Sequence, residues 1–170
     1  MPGAVRLAGE ACLRSGAGLV TAVSAPENLG AIVTERPELI CIVARSSADI
    51  RAPLAAATVV AVGPGLGTGE WSRELFTAVL GCGRPLVIDA DGLNLLALDG
   101  LRPPANAILT PHPGEAARLL GVSSAEVQAD RLATLNRLVE LTGAVVVLKG
   151  AGTLVGAPGR TPKLCVHGNP

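Results

Sequence analysis

At 170 residues the chain has room for one domain with a full core, and 49% apolar against 16% charged content excludes a disordered tail or a solvated linker. Zero formal net charge, with no basic run, excludes the positive footprint that duplex nucleic acid or an anionic membrane requires. One Trp, one Phe and no Tyr leave no stacking platform for single strands, and a core of small aliphatics suits helices packed on a buried parallel sheet.

No apolar stretch reaches membrane-spanning length without Gly, Pro or charge, and no basic segment at the N-terminus leads into an apolar run. Cys12, Cys41, Cys82 and Cys165 are far apart, and His112 and His167 are the two imidazoles, so no metal site is expected. Reduced, mostly buried thiols in a cytoplasmic protein are expected.

The elements follow in chain order. Met1-Pro2-Gly3-Ala4 opens a helix that turns Val5, Leu7, Ala8, Ala11 and Cys12 to one side and ends at Gly16 and Gly18. Leu19 to Ser24 reads as a buried strand, Pro26 as a helix start, and Leu39 to Ala44 as a second strand. The clearest unit is a strand over Thr58 to Val62, a glycine-rich turn over Gly63 to Gly69, and a helix over Glu70 to Leu80. Pro85 to Ile88 is a strand ending in Asp89-Ala90-Asp91-Gly92, and Ala107 to Leu109 is a strand running into Thr110-Pro111-His112-Pro113-Gly114-Glu115 and a helix. Ser123 and Glu126 have capping-box spacing and predict one long helix carrying Val127, Leu132, Leu135, Leu138 and Val139 inward. Ala144 to Leu148 is a strand ending at Lys149-Gly150, and Thr153 to Val155 with Lys163 to Val166 predicts a hairpin around Ala157-Pro158-Gly159-Arg160. Strands alternating with helices imply an α/β fold, a mostly parallel sheet with helices on both faces and ligands at the strands' carboxyl ends.

Four segments at those ends could carry chemistry. Gly63-Pro64-Gly65-Leu66-Gly67-Thr68-Gly69 lets backbone amides approach a ligand, or forms a plain tight turn. It is neither a dinucleotide fingerprint, since Thr68 stands at the third glycine, nor a P-loop, since no Gly-Lys-Ser/Thr follows. His112, held between two prolines, could donate to a ligand or be satisfied by its own backbone, and Glu115 could cap its own helix. Lys149-Gly150-Ala151-Gly152-Thr153 offers a cation, free amides and a hydroxyl to a phosphate, or is a hairpin turn with an exposed lysine. Asp89 and Asp91 could hold Mg²⁺ indirectly, but capping of the following helix by Asp91 is the preferred role.

Taken together, GPGLG, PLVIDADGLN, ILTPHPGEAARLLG and VVVLKGAGTLV, in this order and spacing, resemble the ADP/ATP-dependent NAD(P)H-hydrate dehydratases, and the opening MPGAVRLAGEACLRSGAGLVT is similar to that family's early helix and strand. The resemblance covers essentially the whole chain and implies a ribokinase-like fold. It implies repair of NADH and NADPH hydrated on the nicotinamide ring: a nucleotide phosphorylates the ring hydroxyl, and loss of phosphate restores the double bond. Bacterial members characteristically use ADP and eukaryotic members ATP, with Mg²⁺. Residue by residue, Ala4, Gly65 and His112 match positions that contact the hydrated nicotinamide nucleotide. Lys149, Gly150, Ala151, Gly152 and Thr153 match the segment that holds the adenine nucleotide.

The family's pattern has a strand and a Gly-rich turn before the MPGA segment. Past Gly168-Asn169-Pro170 it continues into a GGTGD loop whose helix N-terminus and aspartate supply an anion hole and a base. The resemblance therefore implies that residues 1–170 form a single partial domain, with the catalytic residue outside it, an exposed sheet edge and an apolar sheet face left open. It further implies a homo-oligomer when complete and an NAD(P)H-hydrate epimerase as fusion or working partner. The competing expectations are a small-molecule kinase of the same fold, of the hydroxymethylpyrimidine or thiazole kinase kind, and an inactive remnant.

Overall fold

Pro2 supplies a fixed φ where a missing N–H costs nothing, and the first helix, α1 (Pro2–Arg14), begins there. The computed structural model describes residues 1–34 and 36–167; the Gly168-Asn169-Pro170 segment lies outside the described residues. The inward face of α1 is not the expected one. Leu7 is 62% exposed, and the buried residue is Gly9. A Cβ on Gly9 would stand 2.9 Å from Leu39, so the missing side chain lets the helix lie on the small cluster of Ala22, Ile32 and Leu39.

Strand β1 (Thr21–Ser24) starts two residues later than expected, with Leu19 left 84% exposed. A 3-10 turn (Pro26–Asn28) and helix α2 (Leu29–Val33) lead to β2 (Ile40–Val43), which pairs with β1 in parallel. The chain then forms a capped 3-10 turn (Ser47–Ile50) and a short helix α3 (Arg51–Ala56), neither expected from the sequence.

The main sheet begins at β3 (Val60–Val62) and alternates with helices: α4 (Glu70–Leu80), β4 (Leu86–Ile88), α5 (Asp91–Asp99), β5 (Ala107–Leu109), α6 (Pro113–Leu120), α7 (Ser124–Ala129), α8 (Arg131–Thr142) and β6 (Val145–Leu148). The hairpin β7 (Thr153–Gly156) and β8 (Lys163–Cys165) completes it. The strand order is β3-β4-β5-β6-β7-β8, parallel from β3 to β6 and antiparallel thereafter. The result is an α/β fold with a mixed, mostly parallel sheet flanked by helices.

Period-two burial explains which sheet face carries the core. Val62, Leu86, Ile88, Ala107 and Leu109 pack against Leu75, Phe76 and Val79 of α4 and Leu93, Leu95 and Leu96 of α5. Phe76 has no exposed surface, and burial of such a side chain stabilises by about 1.5–3 kcal/mol. The alternate residues look the other way, and Ile108 is 38% exposed between two buried neighbours. A second cluster joins Val146 and Leu148 to Val127, Leu135 and Leu138.

The single long helix expected after Ser123 is two helices. Ser123 and Glu126 do form a capping box, at the start of α7. Asp130 then leaves helical geometry (φ −145°, ψ 89°) and its carboxylate accepts the Ala133 amide at 2.9 Å, starting α8. The bend turns Leu132 outward, 50% exposed, while Leu135 and Leu138 remain buried. No cysteine is fully buried either: Cys12, Cys41 and Cys82 are half-buried, and Cys165 is exposed on the sheet's last strand. No helix among the described residues is long and apolar enough to cross a membrane.

Candidate functional site

Four neighbouring parallel strands put the carboxyl ends of β3, β4, β5 and β6 along one side of the sheet, where ligands of open α/β sheets gather. Each of the four segments singled out in the sequence leaves one of these ends.

After β3, the glycine-rich turn is shaped by close approach. Gly63 has φ +119°, and a Cβ there would stand 1.8 Å from the Asp89 carbonyl oxygen. Gly65 has φ +69°, and its Cβ would meet the Met1 carbonyl at 2.4 Å and the Ala4 Cβ at 3.2 Å. Ala4 and Gly65 are therefore brought together, and the Met1 amino nitrogen donates to the Gly65 carbonyl at 2.7 Å. The turn is anchored by the Gly67 amide, which donates to Asp91 Oδ2 at 2.7 Å.

That bond corrects the expected role of Asp91. The N-cap of α5 is Ala90, with no side-chain cap bond, and Asp91 reaches back to the glycine turn. Ala90 adopts φ 47° and ψ −119°, strained for a residue with a Cβ, so that the chain can turn between β4 and α5.

After β5, His112 is the N-cap of α6. Its Nδ1 accepts from the amides of Gly114 at 2.9 Å and Glu115 at 3.4 Å, while Glu115 Oε2 accepts the His112 amide at 2.8 Å. The histidine and its glutamate form a reciprocal capping box, so the local reading of both residues holds. Accepting at Nδ1 leaves Nε2 as the donor nitrogen, and it lies 3.3 Å from Glu115 Oε1. The imidazole is half exposed and the glutamate is buried.

After β6, Lys149 Nζ donates to Asp89 Oδ1 at 2.7 Å and stands 3.9 Å from Glu115 Oε2. Its amide donates to the Pro111 carbonyl at 2.8 Å, stitching the lysine segment to the histidine segment. His112, Glu115, Lys149 and Asp89 thus form one chain of polar contacts across β4, β5 and β6. Gly65 leaves a strand two places from β5, so its turn and His112 are on the order of 10 Å apart in sheet spacing. In the following loop Thr153 Oγ1 donates to the Gly150 carbonyl at 3.1 Å, closing the glycine turn.

Sequence reasoning missed one contributor. Arg131, the first residue of α8, donates to the carbonyls of Ala151, Leu148 and Lys149 at 2.5, 3.2 and 3.4 Å. No local signal marked it, because the sequence reads as one continuous helix through Asp130 and Arg131.

The carboxylates here are already engaged: Asp89 with Lys149, Asp91 with Gly67 and Asn94, Glu115 with His112. Among the described residues no group of three or more His, Cys, Asp or Glu could hold a metal ion. A cleft of about 460 Å³ lined by Ser47, Arg51, Leu54 and Arg84 lies toward the amino end of β4, away from the loops described above.

A family model described as NAD(P)H-hydrate dehydratase matches residues 1–170. The bifunctional NAD(P)H-hydrate repair enzyme of Coxiella burnetii is 48% identical over 170 residues, which is 100% of this chain and 35% of that protein. The ADP/ATP-dependent NAD(P)H-hydrate dehydratase of Bacillus subtilis, co-crystallised with ATP and Mg²⁺, superposes with a TM-score of 0.82 at 31% identity, over 99% of this chain and 62% of that one. A ribokinase-like superfamily protein of Enterococcus faecalis superposes with a TM-score of 0.87 at 28% identity, over 99% of this chain and 60% of that one. The fold is ribokinase-like, and the chain spans about a third of the length of its repair-enzyme relative.

Proposed function

Because this chain belongs to the NAD(P)H-hydrate dehydratase family, we propose that it contributes to nucleotide-dependent dehydration of hydrated NADH and NADPH. The substrates are the hydrated dinucleotide and ADP or ATP. The nucleotide's terminal phosphoryl group passes to the ring hydroxyl oxygen. The ring C–O bond then breaks, the oxygen leaves as phosphate, and a proton leaves the neighbouring carbon as the double bond returns. Phosphate is a good leaving group where hydroxide is not, which is the chemical reason to consume a nucleotide.

The observation that carries this reading is the Lys149 amide bonded to the Pro111 carbonyl at 2.8 Å. It holds the Lys149 loop directly beside the histidine segment, so two ligands bound there would meet. In this reading Lys149, Gly150, Ala151, Gly152 and Thr153 hold the adenine nucleotide's phosphates. Ala4, Gly65 and His112 face the hydrated nicotinamide. Mg²⁺ would arrive on the phosphates, as that ion commonly does. Residues 1–170 are read as one domain, working in the cytoplasm as part of a homo-oligomer. The bifunctional repair enzyme among the relatives supports an epimerase activity as partner.

The test is incubation with hydrated NADH and ADP or ATP while following the return of nicotinamide absorbance. Return of absorbance with stoichiometric phosphate supports the reading. Phosphorylation of a hydroxymethylpyrimidine or a thiazole alcohol, without that return, would replace it with a kinase.

A further inference from the structure

We propose that Arg131 is the positioning residue of the nucleotide loop: its guanidinium grips the loop's carbonyls from one side and thereby turns amides to the other. The inference rests on the proposed nucleotide reading. The guanidinium bonds the carbonyls of Leu148, Lys149 and Ala151. In a planar trans peptide, the N–H points opposite to the C=O. The Leu148 carbonyl faces Arg131, and the next amide, Lys149 N–H, does point away, to Pro111. By the same geometry, carbonyls of Lys149 and Ala151 held by Arg131 direct the N–H groups of Gly150 and Gly152 away from it. Those amides are the donors a phosphate needs.

Two costs show that Arg131 is not there for helix stability. It places a cation at the N-terminus of α8, against the macrodipole. Its Nε is buried without a hydrogen-bond partner. Gly150 completes the arrangement from the loop side. At φ +149° it accepts a conformation that a side chain resists, and a Cβ there would stand 2.9 Å from Arg131 Nη2. A planar fork with several fixed donors can serve three carbonyls at once, and an ammonium cannot reproduce it.

The experiment compares the unaltered chain with Arg131→Lys and Arg131→Met. It reads ADP and adenosine affinity by calorimetry, and loop exchange at the Lys149 amide, which is bonded to the Pro111 carbonyl. Both variants should lose about tenfold in ADP affinity and little for adenosine. The Lys149 amide should exchange about tenfold faster while those of β4 and β5 are unchanged. A lysine that keeps ADP affinity within about twofold would overturn the proposal, since charge alone would then suffice. Unchanged loop exchange in both variants would overturn it as well. If the unaltered chain fails to take up ADP, the nucleotide reading falls, and the exchange comparison still decides whether Arg131 holds the loop. Should a variant fail to fold, Gly150→Ala disturbs the same contact from the other side. It should give the same loop exchange, and normal exchange there would overturn the idea.

Discussion

Lys149 Nζ and Asp89 Oδ1 stand 2.7 Å apart, although 60 residues separate them in the chain. Both side chains are about a third exposed, and pairs of this kind contribute only about 0–1 kcal/mol. The pair therefore holds the lysine in place without binding it tightly, and an arriving phosphate can take it over. Charge-assisted hydrogen bonds contribute about 1.5–3 kcal/mol, so Lys149→Ala should weaken ADP binding by roughly tenfold to a hundredfold. Asp89→Asn should leave it equal or tighter. Calorimetry on both variants checks the pair of outcomes, and unchanged affinity in Lys149→Ala decides against the assignment.

His112 has two jobs that substitution can separate. As N-cap of α6 its Nδ1 takes two amides, and losing such a cap costs about 0.5–2 kcal/mol. His112→Ala should lower the unfolding midpoint and raise the requirement for hydrated NADH. His112→Asn keeps a capping oxygen, so stability should return while the substrate requirement stays high. If asparagine restores both, the histidine serves its helix alone.

Ala90 offers a test of stored strain. At φ 47° and ψ −119° it sits where a side chain costs about 1–3 kcal/mol. Glycine relieves that strain and gives back roughly 0.5–1 kcal/mol in backbone entropy. Ala90→Gly should therefore raise stability by about 1 kcal/mol in urea titration. A loss of stability would show that the turn does not depend on this conformation.

The strand-turn-helix units were readable because their signals are local. The helix from Glu70 to Leu80 and the strand from Ala107 to Leu109 match their expected limits, each bounded by glycine, proline or a change of hydrophobic period. The break at Asp130 was not readable, because apolar spacing runs on through it and the cap to Ala133 competes with a continuous helix. The site's segments could be located, but not their pairing. Lys149 with Asp89, and Arg131 with three carbonyls, depend on which strands lie side by side, and no local pattern encodes that. Asp91 was misassigned for the same reason: its partner, Gly67, belongs to the neighbouring strand's turn.

Acid should loosen the start of α7. The Ser123 amide, then its hydroxyl, donate to Glu126 and hold its carboxyl below the ordinary value. A carboxylate whose folded value is lowered adds stability above its unfolded value of about 4.3, and that stability is lost as pH falls through the lower folded value. Glu126→Gln should flatten the part of the stability profile below about pH 4.5 and change it little near neutrality. An unchanged acid limb would mean that the exposed cap contributes nothing measurable.

Gly65 should prove the least replaceable residue of the proposed substrate side. Its φ of +69° is already costly for a residue with a Cβ, and that atom would lie 2.4 Å from the Met1 carbonyl and 3.2 Å from the Ala4 Cβ. The first contact is with backbone, which cannot swing aside as a long side chain would. Gly65→Ala must therefore move the start of α1 and break the bond from the Met1 amino nitrogen to the Gly65 carbonyl. The strain and lost bond together should cost about 1–3 kcal/mol. In function, the surface shared by Ala4 and Gly65 changes shape while the Lys149 loop, on another strand, does not. Gly65→Ala should accordingly weaken binding of hydrated NADH about tenfold or more and leave ADP binding within about twofold. Titrating both ligands against the same variant gives the answer. Equal losses for the two would show that the glycine turn serves the nucleotide as well, and the division of the site between its two ligands would have to be redrawn.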